Sequence, residues 1–235
     1  MRILSKSPAL RDTYGAKVLL ATRDGAVLVQ KASETELIEA GVFKSNKYDK
    51  NKVRDELGIP RSAVCAGSMG LFIEVKRLDI FLNIALSIHK THPNTHFLLV
   101  GSGDTESFVR DFISMQEMSE FVTLLPFSPA KMLSAMDIFM LTSSSEGVPQ
   151  TLMQALFMQK ACIATNVGSV RDLFFKDNFL LCDCDENQLK SALKLLLEHP
   201  QMLENLSSNK QEFVRANFSL EKMASDVYEV YKQIL

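Results

Sequence analysis

The run Ser143-Ser-Ser-Glu-Gly-Val-Pro-Gln-Thr-Leu-Met-Gln-Ala-Leu156 sets a lone carboxylate, Glu146, between an apolar stretch, Asp137 to Leu141, and a helical pattern starting near Gln150. Asp137-Ile-Phe-Met-Leu141 reads as a buried strand, so Glu146 falls just beyond a strand end. The first amides of a helix have no intrahelical acceptor and carry partial positive charge, which suits them to hold a phosphate. A carboxylate beside them can accept from the hydroxyls of whatever that phosphate carries. Gln154 lies one turn inside the helix, within reach of the same ligand. The plain alternatives are an acid favoured by the helix dipole at Glu146 and an ordinary polar helix residue at Gln154.

Such a site needs a scaffold, and the chain from about residue 62 supplies one. Short apolar runs at Val64 to Gly70, His96 to Gly101, Phe121 to Leu125, Asp137 to Thr142, Ala161 to Thr165 and Phe179 to Cys182 read as strands. Between and after them, helical spacing marks Lys76 to Lys90, Glu106 to Met115, Pro129 to Met136, Gln150 to Met158, Ser169 to Phe175 and Glu186 to Leu197. Two further helices are expected near Leu203 to Asn217 and Leu220 to Ile234. This alternation predicts an α/β fold, a doubly wound, Rossmann-like parallel sheet covered on both faces, with ligands at the carboxyl ends of its strands. Residues 1 to 61 differ. Ala26 to Gln30 reads as a strand, Ser33 to Ala40 as a helix, and the lysine-rich Lys44 to Arg61 as a linker with a short helix. The expected division is therefore 1–61 and 62–235.

The motifs, taken in order, resemble glycosyltransferase family 4 (group 1), enzymes of the GT-B fold. The resemblance runs through G-S-M-G (Gly67 to Gly70), V-K-R-L-D (Val75 to Asp79), L-L-V-G-S-G (Leu98 to Gly103), S-A-M-D-I-F (Ser134 to Phe139), the Glu146 stretch, A-T-N-V-G-S (Ala164 to Ser169), N-F-S (Asn217 to Ser219) and Y-K-Q-I-L (Tyr231 to Leu235). It covers roughly residues 62 to 235 and implies the C-terminal, nucleotide-sugar-binding domain. Residues 1–61 would then be a remnant of the N-terminal acceptor domain, shortened around Gly41-Val-Phe43.

The resemblance carries roles residue by residue. The family's signature has two glutamates eight residues apart. Here Glu146 occupies the first position, which contacts the donor sugar, and Gln154 the second, which binds the ribose. Glutamine keeps an acceptor but loses the charge. Gly147, Val148, Pro149, Gln150 and Thr151 would bring backbone to the phosphate and sugar. An arginine and a lysine five residues apart flank the family's diphosphate. Lys76 is present as the cation for the leaving group, but Leu71 stands at the arginine position and cannot hydrogen-bond a phosphate. Arg77 and Arg171 are candidate replacements. Gly67 and Gly70 would let the chain turn tightly and approach the ligand. Gly101-Ser-Gly103 lacks the third glycine of a dinucleotide fingerprint and reads as a structural turn, which argues against a nicotinamide-dependent oxidoreductase or epimerase.

Composition sets further bounds. The chain has 235 residues, 46% of them apolar, and a formal net charge of −2, so no basic field exists to draw nucleic acid. Four scattered cysteines fit reduced thiols in a cytoplasmic protein better than a disulfide framework. No secretory leader or bilayer-spanning run is visible, so any membrane contact is expected to be peripheral, at the inner face. Asp183-Cys-Asp185 could suggest a metal site, but Asp185 precedes a helix and reads as its N-cap. His89, His92 and His96 straddle a helix end, a proline and a strand start, which gives them no common geometry. No cofactor or metal is expected.

Two functions follow. The first is transfer of a hexose from a UDP- or GDP-sugar to a cell-surface glycan or lipid-linked saccharide, in polysaccharide or lipopolysaccharide biosynthesis, retaining and metal-independent by resemblance. The second is a nucleotide-sugar-binding remnant without turnover, or a half-enzyme that needs a partner chain for its acceptor site. Apolar surface left bare by a missing domain would favour that partner or self-association.

Overall fold

The computed structural model describes Leu20–Ala21, Val27–Leu28, residues 48–174, 179–208 and 210–218, and residues 222, 225, 228 and 229. The chain divides into two compact units, Met1–Lys44 with Ala216–Leu235, and Ser45–Arg215. In the first, Val27–Leu28, within the stretch expected as a strand, pairs antiparallel with Leu20–Ala21, which was not expected. The helix expected over Ser33 to Ala40 lies outside the described residues.

The second unit is a six-stranded parallel sheet. Its strands are β1 (Val64–Leu71), β2 (Thr95–Ser102), β3 (Val122–Leu125), β4 (Ile138–Leu141), β5 (Ala161–Thr165) and β6 (Leu180–Cys182). They lie in the spatial order 3-2-1-4-5-6, every pair parallel. The order reverses between β1 and β4, and that crevice is where sheets of this kind take ligands. The helices are α1 (Lys50–Leu57), α2 (Leu78–Thr91), α3 (Glu106–Met115), α4 (Pro129–Ala135), α5 (Gln150–Phe157), α6 (Glu186–Glu198), α7 (Pro200–Ser207) and α8 (Lys210–Phe218).

Burial explains the strand sequences. β2 is buried at every position but its last, and β4 and β5 at every position, so continuous apolar runs replace the alternation of a one-sided sheet. The β1–β2 register brings Gly70 opposite Gly101. A side chain at Gly101, whose φ is 150°, would meet the Gly70 carbonyl oxygen at 1.9 Å, so glycine is what lets these strands stay paired to their ends. The Gly101-Ser-Gly103 turn is structural, as expected. Gly67 makes no turn, because it sits in mid-strand, where a Cβ would strike the Met136 side chain at 2.4 Å.

Three elements differ from expectation. The helix expected from Lys76 starts at Leu78, because Arg77 adopts a left-handed conformation (φ 48°, ψ 51°) that ends a 3-10 turn over Glu74–Lys76. The helix expected over Leu203 to Asn217 is two, α7 and α8. Ser208 is extended after α7, and the Ser207 and Ser208 hydroxyls fold back to donate to the Leu203 and Asn205 carbonyls. The short helix expected over Ser169 to Phe175 is a 3-10 helix over Gly168–Leu173.

Residues 48–61, placed by sequence with the linker, pack into the sheet unit. Arg54, 1% exposed, does this work from α1. It donates to the carbonyls of Ala135 (2.9 Å), Arg61 (3.2 Å) and Ala63 (2.9 Å), and to Asp137 Oδ2 (2.6 Å). All three guanidinium nitrogens are occupied, which is what allows a full charge to be buried.

Candidate functional site

Beyond β1 the chain runs through Leu71 and Phe72 into the Glu74–Lys76 turn, and two bonds from the loop after β4 pin that turn down. Ser144 N–H donates to the Val75 carbonyl (2.8 Å) and Thr142 Oγ1 to the Lys76 carbonyl (2.8 Å). With its backbone fixed, Lys76 reaches across the β1/β4 crevice and its Nζ meets Glu146 Oε1 at 2.6 Å. The same oxygen accepts from Ser143 Oγ at 2.6 Å. Ser143 is held in turn by Thr165 Oγ1, which donates to its carbonyl (2.7 Å) from the end of β5. The pair is well shielded, with 22% of the Lys76 side chain and 9% of the Glu146 side chain exposed.

Glu146 is also held from below. A Cβ at Gly168 (φ 52°) would lie 1.7 Å from the Glu146 carbonyl oxygen, so only glycine lets the loop after β5 pass this close. Three residues on, Pro149 caps α5, and the amides of Leu152 and Met153 both turn to its carbonyl (3.1 and 3.2 Å). The helix leaves the amides of Gln150 and Thr151 without an acceptor of its own. Gln154, one turn inside α5, is 4% exposed, and its Oε1 has no hydrogen-bond partner among the described residues. An orphaned buried amide oxygen is uncommon and points to a partner supplied from outside.

The structure thus gathers Gly70, Lys76, Glu146 and the α5 N-terminus at the switch point. Gly70, Leu71, Lys76 and Ser143 share a small void of about 10 Å³, room for roughly one water. A far larger cleft, about 630 Å³, opens beside it among Ile73, Glu74, Val75, Leu78, Thr105 and Phe108, with neither Lys76 nor Glu146 on its walls. Of the two, only the smaller space has Lys76 on its wall, and Glu146 meets that lysine from the loop after β4. Leu71 is 65% exposed and Val148 54%. The two arginines considered as replacements at Leu71 have other partners. Arg77 is committed to Asp79 through three bonds of 2.8 to 3.2 Å, and Arg171 Nε donates to Asn166 Oδ1 (3.1 Å). Ser143, Thr165 and Gly168, which position Glu146, and Thr142, which fixes the Lys76 backbone, were not singled out from sequence. The serine run before Glu146 and the Asn166-Val-Gly168 turn were their only signals.

The remaining sequence candidates have structural roles. Asp185 caps α6 by accepting from Gln188 N (2.9 Å), while Asp183 Oδ2 accepts from Gln188 Nε2 (3.0 Å). His89 stacks on Phe121 with centroids 3.8 Å apart, His92 faces Glu198 at 3.8 Å, and His96 Nε2 bonds Thr123 Oγ1 at 2.8 Å. Burial, with Arg54 and His89 nearby, pushes the His96 pKa down to about 4. Among the described residues no three His, Cys, Asp or Glu side chains group to hold a metal ion. The four cysteines are free, and burial raises the Cys65 thiol to about 12 and the Cys182 thiol to about 11. No described helix is long and apolar enough to cross a membrane.

A parallel sheet in this order, with a cation and a carboxylate meeting across its switch point and a helix N-terminus beyond the carboxylate, is a Rossmann-like α/β domain. Comparison with known proteins makes the assignment definite. The sequence profile of the glycosyl transferases group 1 family matches residues 49–213, and the chain belongs to that family. It is 26% identical over 200 residues to TuaC of Bacillus subtilis (strain 168), a glycosyltransferase assigned to teichuronic acid biosynthesis, covering 84% of this chain and 49% of that protein. It is 24% identical over 193 residues to N-acetyl-alpha-D-glucosaminyl L-malate synthase of Bacillus anthracis, covering 80% of this chain and 50% of that one. The chain spans about half the length of the curated relatives it matches. Among solved structures, Anabaena Alr3699/HepE in complex with UDP superposes with a TM-score of 0.74 at 18% identity, over 83% of this chain and 56% of that one. The C-terminal domain of the group 1 family protein LpcC from Francisella tularensis superposes with a TM-score of 0.68 at 18% identity, over 78% of this chain and 100% of that domain.

Proposed function

We propose that this chain is the donor-binding half of a GT-B hexosyltransferase of glycosyltransferase family 4. It would move a hexose from a UDP- or GDP-sugar to a cell-surface glycan or lipid-linked saccharide, with retention of configuration and without a metal. The observation that carries this reading is the Lys76–Glu146 pair, 2.6 Å long, at the switch point beside the open amides of α5. Lys76 would neutralise charge developing on the diphosphate as the glycosidic bond breaks. Glu146 would then turn to the donor sugar's hydroxyls, and Gln154 Oε1 would accept from the ribose. HepE and the pneumococcal O-GlcNAc transferase GtfA, both solved with UDP and a sugar, support the nucleotide-sugar reading.

A second reading is a nucleotide-sugar-binding remnant, or a half-enzyme completed by a partner chain or a second copy. It is favoured by Leu71, exposed where a phosphate-binding arginine would stand, and by the loss of charge at Gln154. Calorimetric titration with UDP, GDP, ADP and their hexose derivatives, with and without Mn²⁺, tests the shared part of both readings. Metal-independent nucleotide binding that is lost in Lys76→Ala, and a preference for the hexose derivative that is lost in Glu146→Ala, are the expected results. No binding to any of them would overturn the donor-site assignment. Acceptor-dependent turnover by the purified chain would exclude the remnant.

A further inference from the structure

At the opposite, amino-terminal edge of the sheet a second cluster of charges surrounds a cavity of about 320 Å³, whose walls include Lys50, Asp137, Lys160, Leu203, Glu204 and Ser207. Asp137 and Lys160 immediately precede β4 and β5, and the Ala161 amide donates to the Asp137 carbonyl (3.1 Å), so the two residues are held side by side. The Asp137 carboxylate is already committed. Oδ2 accepts from Arg54 Nη2 (2.6 Å) and Cys65 N (2.8 Å), and Oδ1 accepts from Lys50 Nζ. Burial alone would raise its pKa, but these donors and their charges hold it below the usual carboxylate value. Glu204, on α7, is exposed at the cavity wall. The Lys160 side chain is only partly exposed, and no carboxylate pairs with it among the described residues. Three cations, Lys50, Arg54 and Lys160, therefore crowd the half-buried Asp137, with the exposed Glu204 across the cavity. The ammonium with no partner is the one that can most readily give up its proton.

We propose that Lys160 is a nucleophilic lysine and a modification site for small acyl phosphates, which would enter the cavity past the Lys50 ammonium on its wall. The neutral Nζ attacks the acyl carbon, an N–C bond forms, the C–O bond to phosphate breaks, and phosphate leaves with the electron pair while the amine proton passes to solvent. Burial, reinforced by Lys50 and Arg54 and opposed by Asp137, lowers the Lys160 pKa to about 8. Against an ordinary lysine near 10.4, this raises the neutral fraction at pH 7 by more than about a hundredfold. Cys65, the nearby thiol, is no competitor, because burial keeps it protonated.

The test is acylation of the full chain by acetyl phosphate at several pH values, with rates read site by site from peptide masses. The reference is Lys194, whose side chain is 54% exposed. Lys160 is expected to react about tenfold or more faster than Lys194 at pH 7, allowing for lower basicity and restricted access, with its rate levelling off above about pH 8. Lys50→Met, on the exposed first residue of α1, frees one oxygen of Asp137 to pair with Lys160. It should bring the Lys160 rate down close to that of Lys194 in protein whose circular dichroism is unchanged. Equal rates at the two lysines, or a Lys160 rate still climbing past pH 9, would overturn the proposal. So would a fast rate that Lys50→Met leaves untouched.

Discussion

Replacing Gln154 by methionine should make the ligand-free protein more stable and its nucleotide binding worse. The side chain is 4% exposed and its Oε1 accepts from nothing among the described residues. A buried polar atom left without a partner costs about 1–3 kcal/mol. Methionine matches glutamine in length, lacks branching, and has nearly the same helix propensity, so α5 itself should register little change. Removing the amide should return about 1–2 kcal/mol, towards the low end because methionine is not a perfect fill. In a domain of this size that raises the Tm by roughly 2–8 °C, readable by scanning calorimetry. If the oxygen waits for a ribose hydroxyl, the same substitution should weaken UDP about tenfold, the loss of one hydrogen bond plus the stranding of its partner. The preference for UDP over its 2′- and 3′-deoxy forms should shrink with it. A variant that melts at or below the wild-type temperature and still binds UDP equally well would refute the argument, because Gln154 would then be holding the fold.

Three other outcomes can be measured on the same protein. Leu71→Arg should tighten UDP binding about tenfold, the low end for a charge-assisted bond since the position is 65% exposed, with little change in Tm; unchanged affinity would mean that the diphosphate does not pass Leu71. Glu146→Gln releases Lys76 from its 2.6 Å partner, so UDP should bind as well or better while a UDP-hexose loses its advantage over UDP; equal losses for both ligands would contradict the sugar-side role of Glu146. His96, with its folded pKa near 4 against about 6.5 unfolded, takes up its proton on unfolding between those values, so stability is complete above about pH 6.5 and falls towards pH 4. Urea unfolding should show about 2 kcal/mol less stability at pH 5 than at pH 7, a difference that His96→Gln removes; an unchanged slope in that variant would assign it to other groups.

The sheet was legible because its strands are buried on both faces. Runs such as Phe97-Leu-Leu-Val100 and Ile138-Phe-Met-Leu141 admit few other environments, and turn residues separate them cleanly. Glu146 and Lys76 were legible through their places in an ordered series of motifs. What escaped was chemistry between residues far apart in sequence. Nothing around Arg54 marks it as more than one charge in a lysine-rich stretch, yet its partners Ala135 and Asp137 lie more than eighty positions away. The helix start at Leu78 escaped for another reason. A non-glycine residue in the left-handed region, Arg77, is held there by tertiary bonds to the neighbouring turn, and local propensity carries no trace of them.

The two charged clusters divide along the strands in a way that bears on how the site works. At the amino-terminal edge Arg54 makes four bonds within the fold from all three guanidinium nitrogens, and these contacts weld α1 to the sheet. At the carboxyl edge Lys76 holds a single carboxylate, Glu146, which accepts from one serine besides. A shielded ion pair with so few supporting bonds is weakly favoured over its solvated alternative, so exchanging Glu146 for a diphosphate costs the protein little. Arg54 could not make such an exchange without leaving carbonyls unpaired in the core. On this argument Glu146 keeps Lys76 oriented across the crevice until a phosphate arrives, and the serine–threonine chain from Ser143 to Thr165 keeps the loop fixed while Glu146 changes partner. Thr165→Val should therefore leave the sheet intact but loosen the loop. The affinity for a UDP-hexose should then fall more than the affinity for UDP, whereas a uniform loss for both would place Thr165 with the fold and not with the site.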